Sequence, residues 1–214
     1  MNTIHLSRIC PRIFQNQPHS TSEIWNQNID FEKGKTYLIE AESGSGKSSL
    51  FNFLCGYRND YTGSILFDEE DIASFSINKW SLIRSRHLSH LIQDLRLFSE
   101  LTAFENIKIK NQLTQHCSDR QITEWMEYLG IADKQEVQVK RLSFGHQQRI
   151  ALLRALAQPF DFLLLDEPIS HLDQVNAGLL GELITAETQR QQAGVIVSSI
   201  GRHLDLHYDT VYHL

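Results

Sequence analysis

The stretch from Thr36 to Leu54 constrains the fold more than any other, because it combines a buried strand, a Gly-rich turn and a helix in direct succession. The strand is TYLIE, and AESGSGKSSLFNFL follows it without a gap. Gly44 and Gly46 let the backbone fold its N–H groups around an anion, and the N-terminus of the following helix directs its positive end at the same anion. This succession predicts an α/β fold with a phosphate-binding loop.

The triplet Gly46-Lys47-Ser48 supplies the chemistry expected of such a loop. Lys47 would reach the β- and γ-phosphates of a nucleotide, and the Ser48 hydroxyl would bind Mg²⁺. The usual pattern has glycine six positions before the lysine, where Ala41 stands in this chain. The triplet alone is short enough to arise by chance. An ordinary Gly/Ser turn before a helix is therefore the alternative until further motifs are considered.

A second motif runs from Phe162 to Glu167 and is bounded by Pro159 and Pro168. Its apolar residues predict a strand buried on both faces of a parallel sheet, with the carboxylates at the carboxyl edge, where ligands bind. Asp166 would hold Mg²⁺ directly or through water, and Glu167 would polarise the attacking water as general base. A solvated Asp-Glu pair is the alternative for this motif alone, and the phosphate-binding loop favours catalysis.

Five motifs in this order resemble those of the ATP-binding cassette (ABC) ATPases, over nearly the whole chain. AESGSGKSS resembles the Walker A loop, Gln93 the Q-loop glutamine, LSFGHQQR the LSGGQ signature, LLLDEP the Walker B motif, and SHLD at Ser170 to Asp173 the D-loop. The segment 81–107 is further similar to the branch that contains lipoprotein-release, macrolide-export and cell-division ATPases. The resemblance implies an ATP-binding and hydrolysing subunit.

The implied fold is α/β, a P-loop NTPase of ABC type with a mixed core sheet, an antiparallel β subdomain and a helical subdomain at about 94–158, all in one domain of residues 1–214. The implied ligands are ATP and Mg²⁺. Phe14 would stack on adenine, although a Phe in the protein core is its alternative. Gln93 would join Ser48 and Asp166 at Mg²⁺ and assist Glu167. The loop residues implied to bind the nucleotide are Glu42, Ser43, Gly44, Ser45, Gly46, Lys47, Ser48 and Ser49.

The family resemblance also implies a head-to-tail dimer, in which each ATP lies between the Walker A loop of one subunit and the signature of the other. The residues that would serve the opposite ATP are Ser143, Phe144, Gly145, His146 and Asp173. Ser143 is a natural N-cap, and the apolar stripe of the helix after it would be buried while its N-terminus points outward. That positive end attracts a γ-phosphate. ATP would hold the dimer closed, and hydrolysis would open it.

One departure from the family pattern bears on the rate. The run VIVSSI places Ser199 where the family has a histidine that contacts the γ-phosphate. A hydroxyl is shorter than imidazole and cannot become a cation. Since losing one transition-state donor costs about 10² to 10³ in rate, we expect a slow ATPase unless another group substitutes. His203 could do so only if the loop bends. Ala41, Phe144 and His146 also depart from the pattern but are tolerable.

Composition argues against nucleic-acid binding and membrane insertion. The formal net charge is -6, which offers no basic field for DNA or RNA. No apolar run approaches the length needed to span a bilayer, and the N-terminal segment lacks a signal-peptide core. The expected location is cytoplasmic, peripheral on the inner face of the plasma membrane. Three scattered cysteines indicate reduced thiols, and the HLDLH segment at 203–207 is not expected to bind metal.

The remaining pattern predicts the elements around these motifs. Residues 1 to about 92 are expected to form strands around the first helix, with turns at Lys33-Gly34 and Tyr61 to Ser64. Helices are expected at Phe104–Ile109, Ser118–Leu129, Ser143–Gln158 and Gln174–Arg190, and a last strand at Thr210–His213. Phe98, Leu101 and Phe104 could form a groove for a helix of a membrane partner or the core of the helical subdomain. Residues 134–141 could relay dimer state or form a solvated loop.

Two functions of different kinds follow. The first is the ATPase subunit of a membrane transport or lipid and lipoprotein extraction complex, acting as a homo- or heterodimer on an integral membrane permease. The second is a nucleotide-gated, hydrolysis-poor regulatory or mechanotransmission subunit. Glu167 favours the first, because a general base has no evident purpose in a pure binding module. ABC proteins of DNA repair or translation are a weaker third, since the chain has no coiled-coil or zinc insert and no second cassette.

Overall fold

The strands in the described part of the chain form two separate sheets. The structure, a computed structural model, describes residues 1–15, 22–42 and 44–214. The strands of the first sheet are β3 (Thr36–Glu40), β6 (Leu88–Leu91), β7 (Phe162–Asp166), β8 (Gly194–Ser199) and β9 (Thr210–His213). Those of the second are β1 (Thr3–Pro11), β2 (Asn28–Glu32), β4 (Tyr61–Phe67) and β5 (Glu70–Asp71). The first sheet has the order β6-β7-β8-β3-β9 and is parallel in every pair, and the second has the order β2-β1-β4-β5 and is antiparallel.

Helices cover the parallel sheet and fill the region between β6 and β7. They are α1 (Lys47–Leu54), α2 (Ile77–Arg86), α3 (Ala103–Gln112), α4 (Asp119–Tyr128), α5 (Phe144–Leu156) and α6 (Gln174–Gln191). The predicted helices from 104 onward are confirmed, because each begins at a side chain that accepts a hydrogen bond from the first turn. These caps are Thr102, Ser118, Ser143 and Asp173.

The parallel sheet is the centre of the molecule because its middle strands are apolar on both faces. Every residue of β7 and β8 is buried. Alternate residues of β3 enter different cores: Ile39 packs with α1 and the antiparallel sheet, and Leu38 packs with α5, α6 and the helical region. The strand registers pair Asp166 with Ser198 and Glu40 with Ser199. The polar ends of three strands therefore meet at one edge.

The fold class is confirmed, with three local differences from the prediction. The antiparallel strands form a sheet of their own, so the core sheet of the described residues is parallel rather than mixed. Tyr61 to Ser64 is the start of β4 and not a turn. Gly63 of this strand lies opposite a bulge in β1, where an added Cβ would come 2.3 Å from the Ser7 carbonyl. The third difference is α2, which lies in a region expected to hold strands only.

Candidate nucleotide-binding and hydrolysis site

The phosphate-binding loop joins β3 to α1 as predicted, and its glycines have the conformation that the sequence indicated. Gly44 has φ 85° and Gly46 has φ 103°, both in the left-handed region. A Cβ on Gly46 would lie 2.9 Å from the ring of Phe14 and 2.9 Å from that of Trp25. Gly46 is therefore required for its conformation and for space, and Gly44 for its conformation alone. Ser43 lies outside the described residues.

Contacts within the loop hold it in a preformed shape. The carbonyl of Glu42 accepts hydrogen bonds from the Ser45 hydroxyl at 2.9 Å and from Lys47 Nζ at 3.2 Å. Trp25 Nε1 donates to the Ser45 carbonyl at 3.1 Å, a contact that the sequence did not indicate. Lys47 is only 6% exposed. Lys47 is thus buried and held at the Glu42 carbonyl.

Asp166 joins the phosphate-binding loop to the middle of the parallel sheet. Its Oδ2 accepts from the Ser48 hydroxyl at 2.9 Å, its Oδ1 accepts from the Ser198 hydroxyl at 2.6 Å, and the residue is 3% exposed. Carboxylate and hydroxyl oxygens are the hard ligands that Mg²⁺ prefers. The residues therefore fit the ion. Ser198 was missed because its place depends on the register between β7 and β8.

Glu167 follows directly and is held in a strained backbone conformation. Its φ is 51°, which is uncommon for a residue with a side chain. Its N–H donates to the Ser198 carbonyl at 3.1 Å. Gln148 of α5 donates from Nε2 to the Glu167 carbonyl at 3.3 Å and to the Pro168 carbonyl at 2.6 Å. The carboxylate lies 3.7 Å from Lys47 Nζ. The predicted base and the lysine predicted to bind phosphate are therefore neighbours.

Ser199 ends β8 at the same edge, but its hydroxyl is engaged elsewhere. Ser199 Oγ donates to the carbonyl of Arg202, and Arg202 Nη2 donates to the Leu172 carbonyl at 3.0 Å. The loop does bend, at Gly201 with φ 70°. The bend brings His203 Nε2 to 2.7 Å from Glu40 Oε1. His203 is thus tied to the end of β3, and Ser199 is tied to the D-loop through Arg202.

The signature residues lie at the exposed N-terminus of α5. Ser143 Oγ caps the helix through the His146 N–H at 3.4 Å and lies 2.7 Å from His146 Nδ1. Burial lowers the pKa of His146, and the charges of Arg149 and Lys134 lower it further. The ring of Phe144 lies 4.2 Å from that of His171, between centroids. Ser143 and Phe144 are exposed, which agrees with the predicted outward N-terminus of this helix, and their contacts with another subunit stay a prediction.

Asp173 and Ser49 also have partners within the chain. Asp173 caps α6 by accepting from the Asn176 N–H at 2.9 Å and from its side-chain amide at 2.7 Å, and these bonds lower the pKa of Asp173. The Ser49 hydroxyl accepts from Arg58 at 3.2 Å. The nucleotide contacts of both residues stay predictions.

Phe14 and Gln93 flank the site. Phe14 is half-buried, packs against the core below the antiparallel sheet and borders Gly46, so it is both a core residue and a wall of the loop. Gln93 is exposed just after β6, which neighbours β7. Leu95 and Arg96, directly beyond it, have positive φ angles of 57° and 45°. Their carbonyls accept hydrogen bonds from Arg154. These two hydrogen bonds fix the path of the chain after Gln93.

Comparison with known proteins decides the family. The model of the ABC transporter family matches residues 24–170. The chain belongs to the ABC transporter family. The aliphatic sulfonates import ATP-binding protein SsuB of Bacillus cereus is 31% identical over 173 residues, which are 81% of this chain and 65% of that protein. The lipoprotein-releasing system ATP-binding protein LolD of Chromohalobacter salexigens is 28% identical over 207 residues, 95% of this chain and 87% of that protein.

Solved structures agree on the fold of this ABC cassette. Two dimeric structures of the ATP-binding cassette MJ0796, one in a post-hydrolysis state with ADP and Pi, superpose with a TM-score of 0.77 at 22% identity. They match 92% and 91% of this chain, and 87% of their own chains. The resemblance to an ABC ATP-binding subunit of the LolD-like branch is confirmed. Cassettes of this family bind ATP, generally with Mg²⁺, and hydrolyse it. In the described part of the chain, no helix is long and apolar enough to cross a bilayer.

Proposed function

We propose that this ABC cassette binds and hydrolyses ATP to drive a membrane transport complex, or one that extracts lipids or lipoproteins, by closing onto a second cassette. The observation that carries the proposal is the meeting of Lys47, Ser48, Asp166 and Glu167 at one sheet edge. Residues 118 positions apart are joined there by the 2.9 Å bond from Ser48 to Asp166. Such a meeting of two motifs is what phosphoryl transfer requires.

Each residue would act on ATP in a defined way. The loop N–H groups and Lys47 would hold the β- and γ-phosphates, and Ser48 with Asp166 would hold Mg²⁺. Mg²⁺, when bound, neutralises charge on the β- and γ-oxygens. Glu167 would polarise the attacking water. Its carboxylate already lies 3.7 Å from Lys47, so it is close to where the γ-phosphate would be held.

Closure of a dimer would use the outward N-terminus of α5. Ser143 and Phe144 are exposed there, and the positive end of a helix attracts an anion on another molecule. Removal of the γ-phosphate would remove that attraction, and the dimer would open. The second cassette would be an identical or a related chain. The chain would lie on the cytoplasmic face of the plasma membrane, bound to an integral membrane permease.

Slow hydrolysis is part of the proposal. The Ser199 hydroxyl has one proton, and it is donated to the Arg202 carbonyl. It can be donated to a phosphate only if its hydrogen bond to the Arg202 carbonyl is broken. The position of Glu167 favours hydrolysis over nucleotide-gated binding alone, because a carboxylate near the phosphate weakens binding by repulsion but can serve hydrolysis as a base.

Steady-state ATPase activity and ATP-dependent dimerisation test the proposal together. Glu167→Gln should lower the turnover by about 10² or more, because a general base is lost, while ATP binding persists. The same variant should accumulate as a dimer with ATP in analytical ultracentrifugation. Glu127→Gln, an exposed position on α4, is the matched control and should behave as wild type. A Glu167→Gln variant as active as wild type would contradict the assignment.

A further inference from the structure

Trp25 packs between the antiparallel sheet and the phosphate-binding loop. Its side chain is 2% exposed and belongs to the core below that sheet. The indole Nε1 donates to the Ser45 carbonyl at 3.1 Å, and the ring lies 2.9 Å from the place that a Cβ on Gly46 would take. The ring of Phe14 borders the same place at 2.9 Å. Two aromatic side chains thus contact the loop at the residue before α1.

The peptide group between Ser45 and Gly46 is the part of the loop that Trp25 restrains. Glycine adopts positive and negative φ angles with similar ease, so the φ of 103° at Gly46 does not by itself fix this peptide group. A rotated peptide group would direct the Ser45 carbonyl, with its partial negative charge, toward an anion in the loop. Rotation would also leave the buried indole N–H without its acceptor, which is costly. The hydrogen bond from Trp25 therefore opposes the rotation.

This orientation of the Ser45 carbonyl determines the direction of the Gly46 N–H. In a trans peptide group the C=O and the N–H point in opposite directions, and the described residues contain no cis peptide bond. Since the Ser45 carbonyl faces Trp25, the Gly46 N–H faces away from it. The backbone N–H groups of residues 46–48 donate to no acceptor among the described residues. An anion in the loop would complete these hydrogen bonds.

Backbone hydrogen bonds hold Trp25 in its turn. The Trp25 N–H donates to the Ser22 hydroxyl at 2.9 Å. The next residue, Asn26, has φ 63° and donates its N–H to the carbonyl of Ile9 in β1 at 2.8 Å. The indole is therefore anchored to the antiparallel sheet, and its bond to Ser45 connects that sheet to the loop.

We propose that Trp25 is a positioning residue for the phosphates of ATP. Its indole N–H keeps the Ser45 carbonyl turned away from the nucleotide and the Gly46 N–H turned toward the phosphates. The inference rests on the proposed function, because it assumes that ATP lies in this loop. Trp25 acts on the phosphates and not on the base, so its effect is the same for ATP and GTP. It serves the ground state and the transition state alike, and it therefore sets affinity rather than turnover.

Replacement of a single N–H group tests the proposal. The amino acid 3-benzothienylalanine at position 25 keeps the shape of the indole and has sulfur in place of the N–H. The dissociation constants of ATP, ADP and GTP should each rise by about tenfold, because a hydrogen bond to a charged phosphate is weakened. The kcat at saturating ATP should stay within about twofold of wild type. Trp25→Phe, which also lacks the N–H, should raise the three constants at least as much.

Trp125 provides the matched control. It is a buried indole on α4, in the core that does not contain Trp25. The same analogue at position 125, and Trp125→Phe, should leave the three dissociation constants within about twofold of wild type, because neither change reaches the loop.

The Gly46 amide reports on the proposed contact directly. In protein labelled with ¹⁵N-glycine, ADP should move the Gly46 amide proton of the wild type downfield, because its N–H then donates to a phosphate oxygen. The analogue at position 25 should reduce this shift by about half or more. A role in core packing alone would lower the stability of the variant without altering the shift or the dissociation constants.

The outcomes separate this inference from the proposed function. Unchanged dissociation constants with the analogue at position 25 overturn the inference and leave the proposed function intact. A rise for ATP and ADP without a rise for GTP overturns it as well, since Trp25 would then act on the base. Failure of the wild-type protein to bind ATP contradicts the proposed function itself.

Discussion

Ser48 donates a hydrogen bond to Asp166 at 2.9 Å and thereby joins the phosphate-binding loop to the acidic end of β7. Asp166 is 3% exposed, so its charge is stabilised by the hydroxyls of Ser48 and Ser198 and by any bound cation. The two residues would supply a pair of oxygen ligands to Mg²⁺. The consequences for Mg²⁺, for hydrolysis and for stability can each be measured.

Asp166→Asn should remove Mg²⁺ dependence from nucleotide binding. The amide keeps the size of the side chain but loses the charge that favours a divalent cation. We expect the stimulation of ATP binding by Mg²⁺ to fall by about tenfold or more, and ATPase activity to be lost. Titration of ATP by calorimetry, with and without Mg²⁺, measures the change. Asp205→Asn, an exposed site, is the control, and equal Mg²⁺ dependence in both variants would contradict the ligand assignment.

Ser199→His should increase the turnover, because an imidazole can reach and donate to a γ-phosphate that the bound hydroxyl does not contact. A rise of about tenfold or more in kcat is expected. Ser199→Ala distinguishes a role of the hydroxyl in hydrolysis from its hydrogen bond to the Arg202 carbonyl. Since its proton is given to the Arg202 carbonyl, the alanine variant should keep kcat within about twofold of wild type. A large loss in Ser199→Ala would show that Ser199 itself acts in hydrolysis.

Gly46→Ala should abolish ATP binding. The residue has φ 103°, and a methyl group would collide with the rings of Phe14 and Trp25 at 2.9 Å. We expect a loss of about 1–3 kcal/mol in stability together with a distorted loop. Gly178→Ala is the contrasting change, because Gly178 lies within α6 with nothing within 4 Å of its added methyl. That variant should be stabilised by about 0.5–1 kcal/mol in chemical unfolding.

Sequence patterns predicted the parts of this fold that depend on local physics. The strands Thr36–Glu40 and Thr210–His213 and the cap at Ser143 were found because a few neighbouring residues determine them. The helix α2 was missed because Ile83 is its only buried residue, so its apolar periodicity is weak. Long-range contacts could not be predicted from the sequence. The Ser198 bond to Asp166 depends on strand register, and the path of His203 to Glu40 depends on a loop bend.

His90 should make the protein less stable in acid. It lies against Phe51 and Cys55, and burial lowers its pKa to about 4 from 6.5, assisted by the charges of Arg96 and Lys110. Between about pH 4 and pH 6.5, the unfolded chain therefore binds a proton at His90 that the folded protein does not bind. The contribution to stability is complete above pH 6.5 and is lost as the pH falls toward 4, by about 3 kcal/mol.

His90→Phe should remove the fall in the free energy of unfolding that His90 causes between pH 6.5 and pH 4. Urea unfolding at several pH values measures it, and His207→Phe, at an exposed position, should leave the acid slope unchanged. An unaltered slope in His90→Phe would show that another group causes the loss in acid.

Gln148→Leu should slow hydrolysis without weakening ATP binding. Gln148 is 1% exposed and donates to the Glu167 and Pro168 carbonyls, at and just after the residue with φ 51°. Leucine has a similar size but cannot donate, so the backbone at Glu167 is free to relax and to move its carboxylate. We expect kcat to fall by about tenfold while the ATP dissociation constant stays within about twofold. Gln147→Leu is the matched control, because Gln147 donates to the Val139 and Leu142 carbonyls instead. Equal kcat values for the two variants would show that Gln148 supports the helix rather than the base.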